Sequence, residues 1–153
     1  MPGITIEDVS LRDLHDLHQI EKECFGKEAF TRQQIASLLE DYNTISLVAK
    51  QEGAIVGFII GSIYGVRDSE AGHILTVDVV STHRRKGIGE QLLKAVERIF
   101  RGKGVRECSL EVREDNIAAL HLYRKSRYIQ VGKLMNYYGN SNGLLLMKNL
   151  NPA

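Results

Sequence analysis

Arg84-Arg85-Lys86-Gly87-Ile88-Gly89 is the stretch of this chain best equipped for chemistry. An alternating apolar run ends just before it at Val80, and an amphipathic run begins within it at Ile88. The pattern is a strand, a short basic loop with glycines, and the first turn of a helix. A helix start leaves backbone N–H groups unpaired and carries partial positive charge. Glycines at 87 and 89 clear the space an anion needs to reach those groups, and the basic side chains add charge around it. A pyrophosphate suits such a loop. Two other phosphate loops fail on spacing. A dinucleotide fingerprint needs Gly or Ala at the position of Leu92, and a Walker loop needs Lys and Ser/Thr where Gly87 is followed by Ile88. A glycine turn with solvated basic residues fits the same spacing and stays open at this level.

The elements that must hold this loop are read from the period of the apolar residues. Residues 4–9 alternate as a first strand. Ser10 opens a helix with Asp13 at capping-box spacing, and Leu14, Leu17, Cys24 and Phe25 form its apolar side. Thr31 opens a second helix. Gln34 completes its capping box, Phe30 and Ile35 form a hydrophobic staple, and Ile35, Leu38, Leu39 and Tyr42 line one face. Residues 45–50 and 55–64 form a hairpin across Gln51-Glu52-Gly53, and 73–80 is the next strand. After the loop, Ile88, Leu92, Val96 and Ile99, widened by Leu93 and Phe100, describe a helix with Gly102 as its end cap. A strand at 105–112 and a helix at 116–126 follow. Strands at 128–138 and 144–150 then close the chain around Asn140-Ser141-Asn142-Gly143. A strand–helix–strand unit in mid-chain demands one locally parallel pair inside a mixed, mostly antiparallel sheet.

The 153 residues, 43% hydrophobic and 25% charged, suit one α/β domain over 1–153 with a real core. Lys+Arg number 20 against Asp+Glu 19, a net charge of +1, which argues against nucleic acid held by broad electrostatics. Cys24 and Cys108 lie in apolar runs and read as small buried hydrophobes, with neither a disulfide framework nor a zinc spacing. His15 and His18 lack a third ligand, so no metal is expected. The start of the chain is unlike a secretory signal, and the most apolar segment, 54–63, is too short to span a bilayer. The expectation is a cytoplasmic protein with no membrane partner; its oligomeric state is left open.

Arg84-x-x-Gly87-x-Gly89 after a strand resembles the acetyl-coenzyme A motif of the GNAT superfamily of N-acetyltransferases. Leu110-Glu111-Val112-Arg113, followed by Asn116, Ala119, Leu122 and Tyr123, is similar to the second half of that family's core, and Asn136-Tyr137-Tyr138 to its substrate-side loop. Within the family the likeness is closest to N-terminal acetyltransferases of the ribosomal-protein-alanine and archaeal types. The resemblance implies a GNAT-like α/β fold: a twisted sheet of about seven strands, flanked by about four helices and splayed between the strands at 73–80 and 105–112. It implies acetyl-coenzyme A as cosubstrate. The backbone of Val77, Asp78 and Val79 would pair with the pantetheine arm. Arg84 and the loop from Arg85 through Lys86, Gly87, Ile88 and Gly89 to Glu90 would hold the pyrophosphate, and Asn116 would touch the coenzyme. It assigns Glu111 as general base and Tyr123 as the acid that protonates the leaving thiolate. Phe30 and Tyr138 would border the acceptor, a protein or peptide N-terminus. Two departures stand out: Arg127 occupies the place of a family glycine after the last core helix, and the segment from Phe25 to Phe30 differs from the bacterial branch.

The assigned chemistry is sound on its own terms. Only a neutral amine attacks a thioester, and an α-amine has a pKa near 8, so a modest base suffices. Glu111 sits mid-strand on the face opposite Leu110 and Val112, where it serves either as that base or as the ion-pair partner of Arg113. Tyr123 returns on a helix to the carboxyl end of the strand, as an acid for sulfur or as a core residue beside Leu120 and Leu122. A backbone N–H near Val79 suits the tetrahedral oxyanion. No cysteine is placed for a covalent intermediate, so attack is direct in a ternary complex. A lysine or small-amine acetyltransferase, a coenzyme A-binding sensor without turnover, and a nucleotide-binding module are the rival readings.

Overall fold

Seven strands and four α-helices lie within residues 3–151, the part of the chain that the computed structural model describes. β1 (Thr5–Asp8) leads through a 3-10 turn (Leu11–Asp13) into α1 (Leu14–Phe25), and a second such turn (Gly26–Glu28) precedes α2 (Arg32–Glu40). β2 (Thr44–Gln51), β3 (Ala54–Tyr64) and β4 (Ala71–Val79) follow. A third 3-10 turn (Ser81–His83) leads to α3 (Ile88–Gly102), β5 (Glu107–Arg113), α4 (Ile117–Lys125), β6 (Ile129–Leu134) and β7 (Gly143–Asn149). Both expected caps form. The Ser10 N–H donates to Asp13 Oδ2 at 2.9 Å. The Thr31 N–H donates to Gln34 Oε1 at 2.8 Å, while the Gln34 N–H donates to Thr31 Oγ1 at 3.1 Å. Among the described residues, no helix is long and apolar enough to cross a membrane.

The strands form one sheet in the order β1-β2-β3-β4-β5-β7-β6, antiparallel throughout except for β4 and β5. Helices cover both faces of its centre, so β3 is buried from Val56 to Gly61 rather than alternating. On one face α3 lays Leu92, Leu93, Val96 and Phe100 against Leu47, Ala49, Ile59 and Ile74; Leu120 and Tyr123 of α4 extend the same core. On the other face, Leu17 and Ile20 of α1 and Ile35 of α2 pack on Val48, Phe58 and Ile60.

The feature that makes a site is the parting of β4 from β5. Their parallel register covers only Gly72↔Cys108 and His73↔Ser109, although both strands run on. Opposite this point the β3–β4 register jumps from Gly61↔Ile74 to Ile60↔Thr76, leaving Leu75 as an extra residue. Such a bulge sharpens the local twist and swings the rest of β4 away from β5.

Phe100 fixes the closed end of the parting. A Cβ added at Gly72 would lie 2.7 Å from its ring, and one at Gly61 would lie 3.0 Å from it. Gly72→Ala is therefore expected to lower Tm by about 5 °C through overpacking. Gly102→Ala meets nothing within 4 Å and should leave Tm unchanged or slightly raised. Thermal melts followed by circular dichroism check both.

Several local expectations are corrected. The left-handed residue after α3 is Gly104, at φ +80°, and Gly102 closes the helix itself. Tyr42 lies beyond α2 and is 98% exposed, so it is no part of that helix's apolar face. The sixth strand stops at Leu134, because Asn136 turns left-handed at φ 54°; Tyr137 and Tyr138 therefore sit in a turn. Arg127 does adopt the left-handed conformation of the glycine it replaces, at φ 73°. The Tyr128 N–H reaches back to the Tyr123 carbonyl at 2.9 Å, which closes α4 despite a cost of about 1 kcal/mol for a left-handed arginine.

Candidate functional site

The loop between β4 and α3 has the backbone form that suits an anion. Arg85 is left-handed at φ 63°, and Gly87, the N-cap of α3, at φ 80°. No side chain caps the helix, and its first internal bond runs from the Gln91 N–H to the Gly87 carbonyl at 3.0 Å. The amides of Ile88, Gly89 and Glu90 precede that bond and are turned outward at the positive end of the helix. Arg85 and Lys86 are exposed beside them. Arg84 folds back: its Nε donates to the Val79 carbonyl at 3.1 Å, and its Nη2 lies 3.5 Å from Cys24 Sγ. Its side chain braces the loop against β4. Gly89 answers to packing, since a Cβ there would lie 3.1 Å from Leu122 on α4. Glu90 pairs with Lys94 at 3.2 Å and with Lys125 of α4 at 3.5 Å, and these lysines hold its carboxyl below the usual range. Gly87→Ala forces a side chain into the left-handed region, so coenzyme A affinity should fall about tenfold by calorimetric titration.

The parted strand supplies an edge. The Val80 N–H bonds to the Val56 carbonyl on β3, and strand alternation then turns the backbone groups of Val77 and Val79 toward the parting. Asp78, expected in the same backbone role, turns its carbonyl to β3 instead; a Cβ on Gly57 would lie 2.6 Å from it. The Asp78 side chain is buried at 1% exposure. Tyr123 of α4 is also buried, on the α3 side, with its ring edge-on to Tyr128 at 6.0 Å. Burial, with Asp78 nearby, pushes its phenol well above the ordinary tyrosine range. Asn116 caps α4, its Oδ1 accepting from the Ala119 N–H at 3.1 Å.

The opposite face of the sheet carries a histidine and a carboxylate in hydrogen-bond contact. His73 Nε2 lies 2.8 Å from Glu111 Oε1, where the last register pair of β4 and β5 brings the strands together. The Glu111 side chain is 22% exposed and so reachable. Arg113 is not its partner, as the sequence had suggested. Arg113 binds Asp115 through Nε at 2.9 Å and Nη2 at 3.1 Å, Asn140 at 3.2 Å, and Glu28 of the second 3-10 turn. Its guanidinium also lies 5.5 Å from the centre of the Tyr138 ring. Burial first, then Tyr137 and Glu111, pushes Tyr138 up to about 12. Tyr64 stands edge-on to His73 at 6.3 Å. Phe30 is half-buried and packs on the α1–α2 core.

His73 and Glu28 are the groups that sequence reasoning missed. Both meet their partners only through pairing of distant segments; the one clue in the chain is that His73, like Glu111, alternates with core residues on its strand.

Residues 12–127 match the acetyltransferase (GNAT) family. The chain belongs to that family. This GNAT protein is 31% identical over 150 residues to an uncharacterized N-acetyltransferase of Methanocaldococcus jannaschii, covering 96% of this chain and 92% of that one. It is 31% identical over 121 residues to an N-alpha-acetyltransferase of Sulfurisphaera tokodaii, covering 71% of each. Its fold overlays Ard1 of Thermoplasma volcanium with a TM-score of 0.87 and 28% identity, covering 97% of this chain and 99% of that one. The GNAT protein is an N-acetyltransferase that uses acetyl-coenzyme A as cosubstrate. Its loop at the start of α3 and the strand edge offered by the Val77 backbone and the Val79 N–H fit a diphosphate joined to an amide-rich arm.

Proposed function

We propose that this GNAT enzyme acetylates the N-terminal α-amine of proteins. The observation that carries the reading is the hydrogen-bonded His73–Glu111 pair at the closed end of the β4–β5 parting, on the face away from α3. A weak base of this kind suits an α-amine. With a pKa near 8, about one α-amine in ten is neutral at pH 7, whereas a lysine near 10.4 is neutral less than about once in a thousand. The archaeal relative named N-alpha-acetyltransferase points the same way.

Acetyl-coenzyme A supplies the acetyl group as a thioester. Glu111, held by His73, takes the proton of the attacking amine. The Val79 N–H faces the carbonyl oxygen as charge develops on it. Tyr123 gives its phenolic proton to the departing sulfur. The turn carrying Tyr137 and Tyr138, together with the segment from Glu28 to Phe30, walls the acceptor groove.

The test is tandem mass spectrometry after incubation with acetyl-coenzyme A. The panel holds peptides starting with Ser, Ala, Met or Glu and N-terminally blocked peptides with one lysine. An acetyl group on the first residue's nitrogen is expected. Labelling confined to lysine would replace the acceptor class.

A further inference from the structure

Glu21 on α1 and Asp78 on β4 are both buried, and Thr76 lies between them. Thr76 Oγ1 is 3.1 Å from Glu21 Oε1 and 2.6 Å from Asp78 Oδ1. A hydroxyl has one proton, so it donates to one carboxyl and accepts from the other, and the other must be protonated. Glu21 has a second donor, the Phe30 N–H at 3.0 Å from Oε2. Asp78 Oδ2 is buried with no hydrogen-bond partner. Charge settles on the carboxyl with two donors, and the proton on the one without. The chain of bonds therefore runs from the Asp78 carboxyl proton to Thr76, from the Thr76 hydroxyl to Glu21, and from the Phe30 N–H to Glu21.

We propose that Glu21 and Asp78 are positioning residues for acetyl transfer, their single shared proton fastening the acceptor-side segment at Phe30 to the strand that takes the coenzyme. The proposal rests on Phe30 bordering the acceptor. Asp78 pairs with Phe58 across β3 and β4, one residue from Val77 and Val79, so displacement of the Phe30 segment changes how an acceptor meets the thioester.

Burial first, then the Glu21 carboxylate, holds Asp78 well above the usual carboxyl range. The contact with Thr76, and after it Arg84, works against that shift. Cys24 and Tyr123 also face Asp78, and burial keeps both protonated, Cys24 being pushed up to about 11. The shared proton is therefore present at neutral pH and leaves as the pH rises through the raised value. Two buried carboxylates then repel each other, and Thr76 can satisfy only one of them.

The experiment is steady-state kinetics of the full chain, with both KM values read from about pH 7 to about pH 10. Glu21→Met fills similar space but accepts from neither the Phe30 N–H nor Thr76, so acceptor KM should rise about fivefold while the KM for acetyl-coenzyme A moves less than about twofold. Asp78→Asn keeps a permanent donor toward Thr76, so the ratio of wild-type to variant acceptor KM should climb with pH. Ionisation of the acceptor is common to both enzymes and cancels in that ratio. A flat ratio, or a Glu21→Met change shared equally by both KM values or confined to Tm, overturns the proposal. If no peptide N-terminus is acetylated by wild type, the proposed acceptor fails by itself, and the same ratio is read with whichever amine is used.

Discussion

Glu111→Gln is expected to lower kcat on a free N-terminal peptide about a hundredfold at pH 7. Glutamine matches the shape of the side chain, and its carbonyl still accepts from His73 Nε2 across the 2.8 Å contact, so the strands and the groove stay in place. What is lost is a carboxylate that can take a proton from the attacking amine. The loss should shrink as pH rises past about 8, because the acceptor then arrives already neutral. Wild-type kcat at neutral pH would show that Glu111 only orients His73. A deficit that stays constant with pH would point to damaged geometry.

Tyr123→Phe should lower kcat about tenfold or more while leaving the acetyl-coenzyme A Kd within about twofold. Phenylalanine fills the same buried space and keeps the edge-on contact with Tyr128 at 6.0 Å, so the change removes only the hydroxyl. Burial lifts the phenol well above its ordinary range, which keeps the proton on oxygen through the alkaline limb. Wild-type kcat should accordingly hold steady to about pH 10 rather than fall with tyrosine ionisation. Equal losses in binding and turnover would leave Tyr123 as a packing residue.

The parts of this enzyme built from local signals were readable in the chain. Capping boxes at Ser10 and Thr31, the apolar stripe of α3 and the glycine-containing loop each act within a few residues, and each appears where its spacing demands. The single parallel pair also follows from the strand–helix–strand order. The rest depends on registers that no local pattern states. The bulge at Leu75 decides which β4 groups face the parting, and turns the Asp78 side chain toward Thr76 on the α1 side. The same pairing gives Glu111 to His73 and frees Arg113 for Glu28 and Asp115. Gly89 was read for anion access, yet its contact with Leu122 exists only once α3 and α4 meet.

N-terminal specificity is decided by comparing kcat/KM for two versions of one peptide. One has a free α-amine and no lysine; the other has a blocked N-terminus and one lysine. The free α-amine should be preferred by at least about a hundredfold at pH 7, in keeping with the pKa gap between the two amines. Equal rates, or preference for lysine, would contradict it.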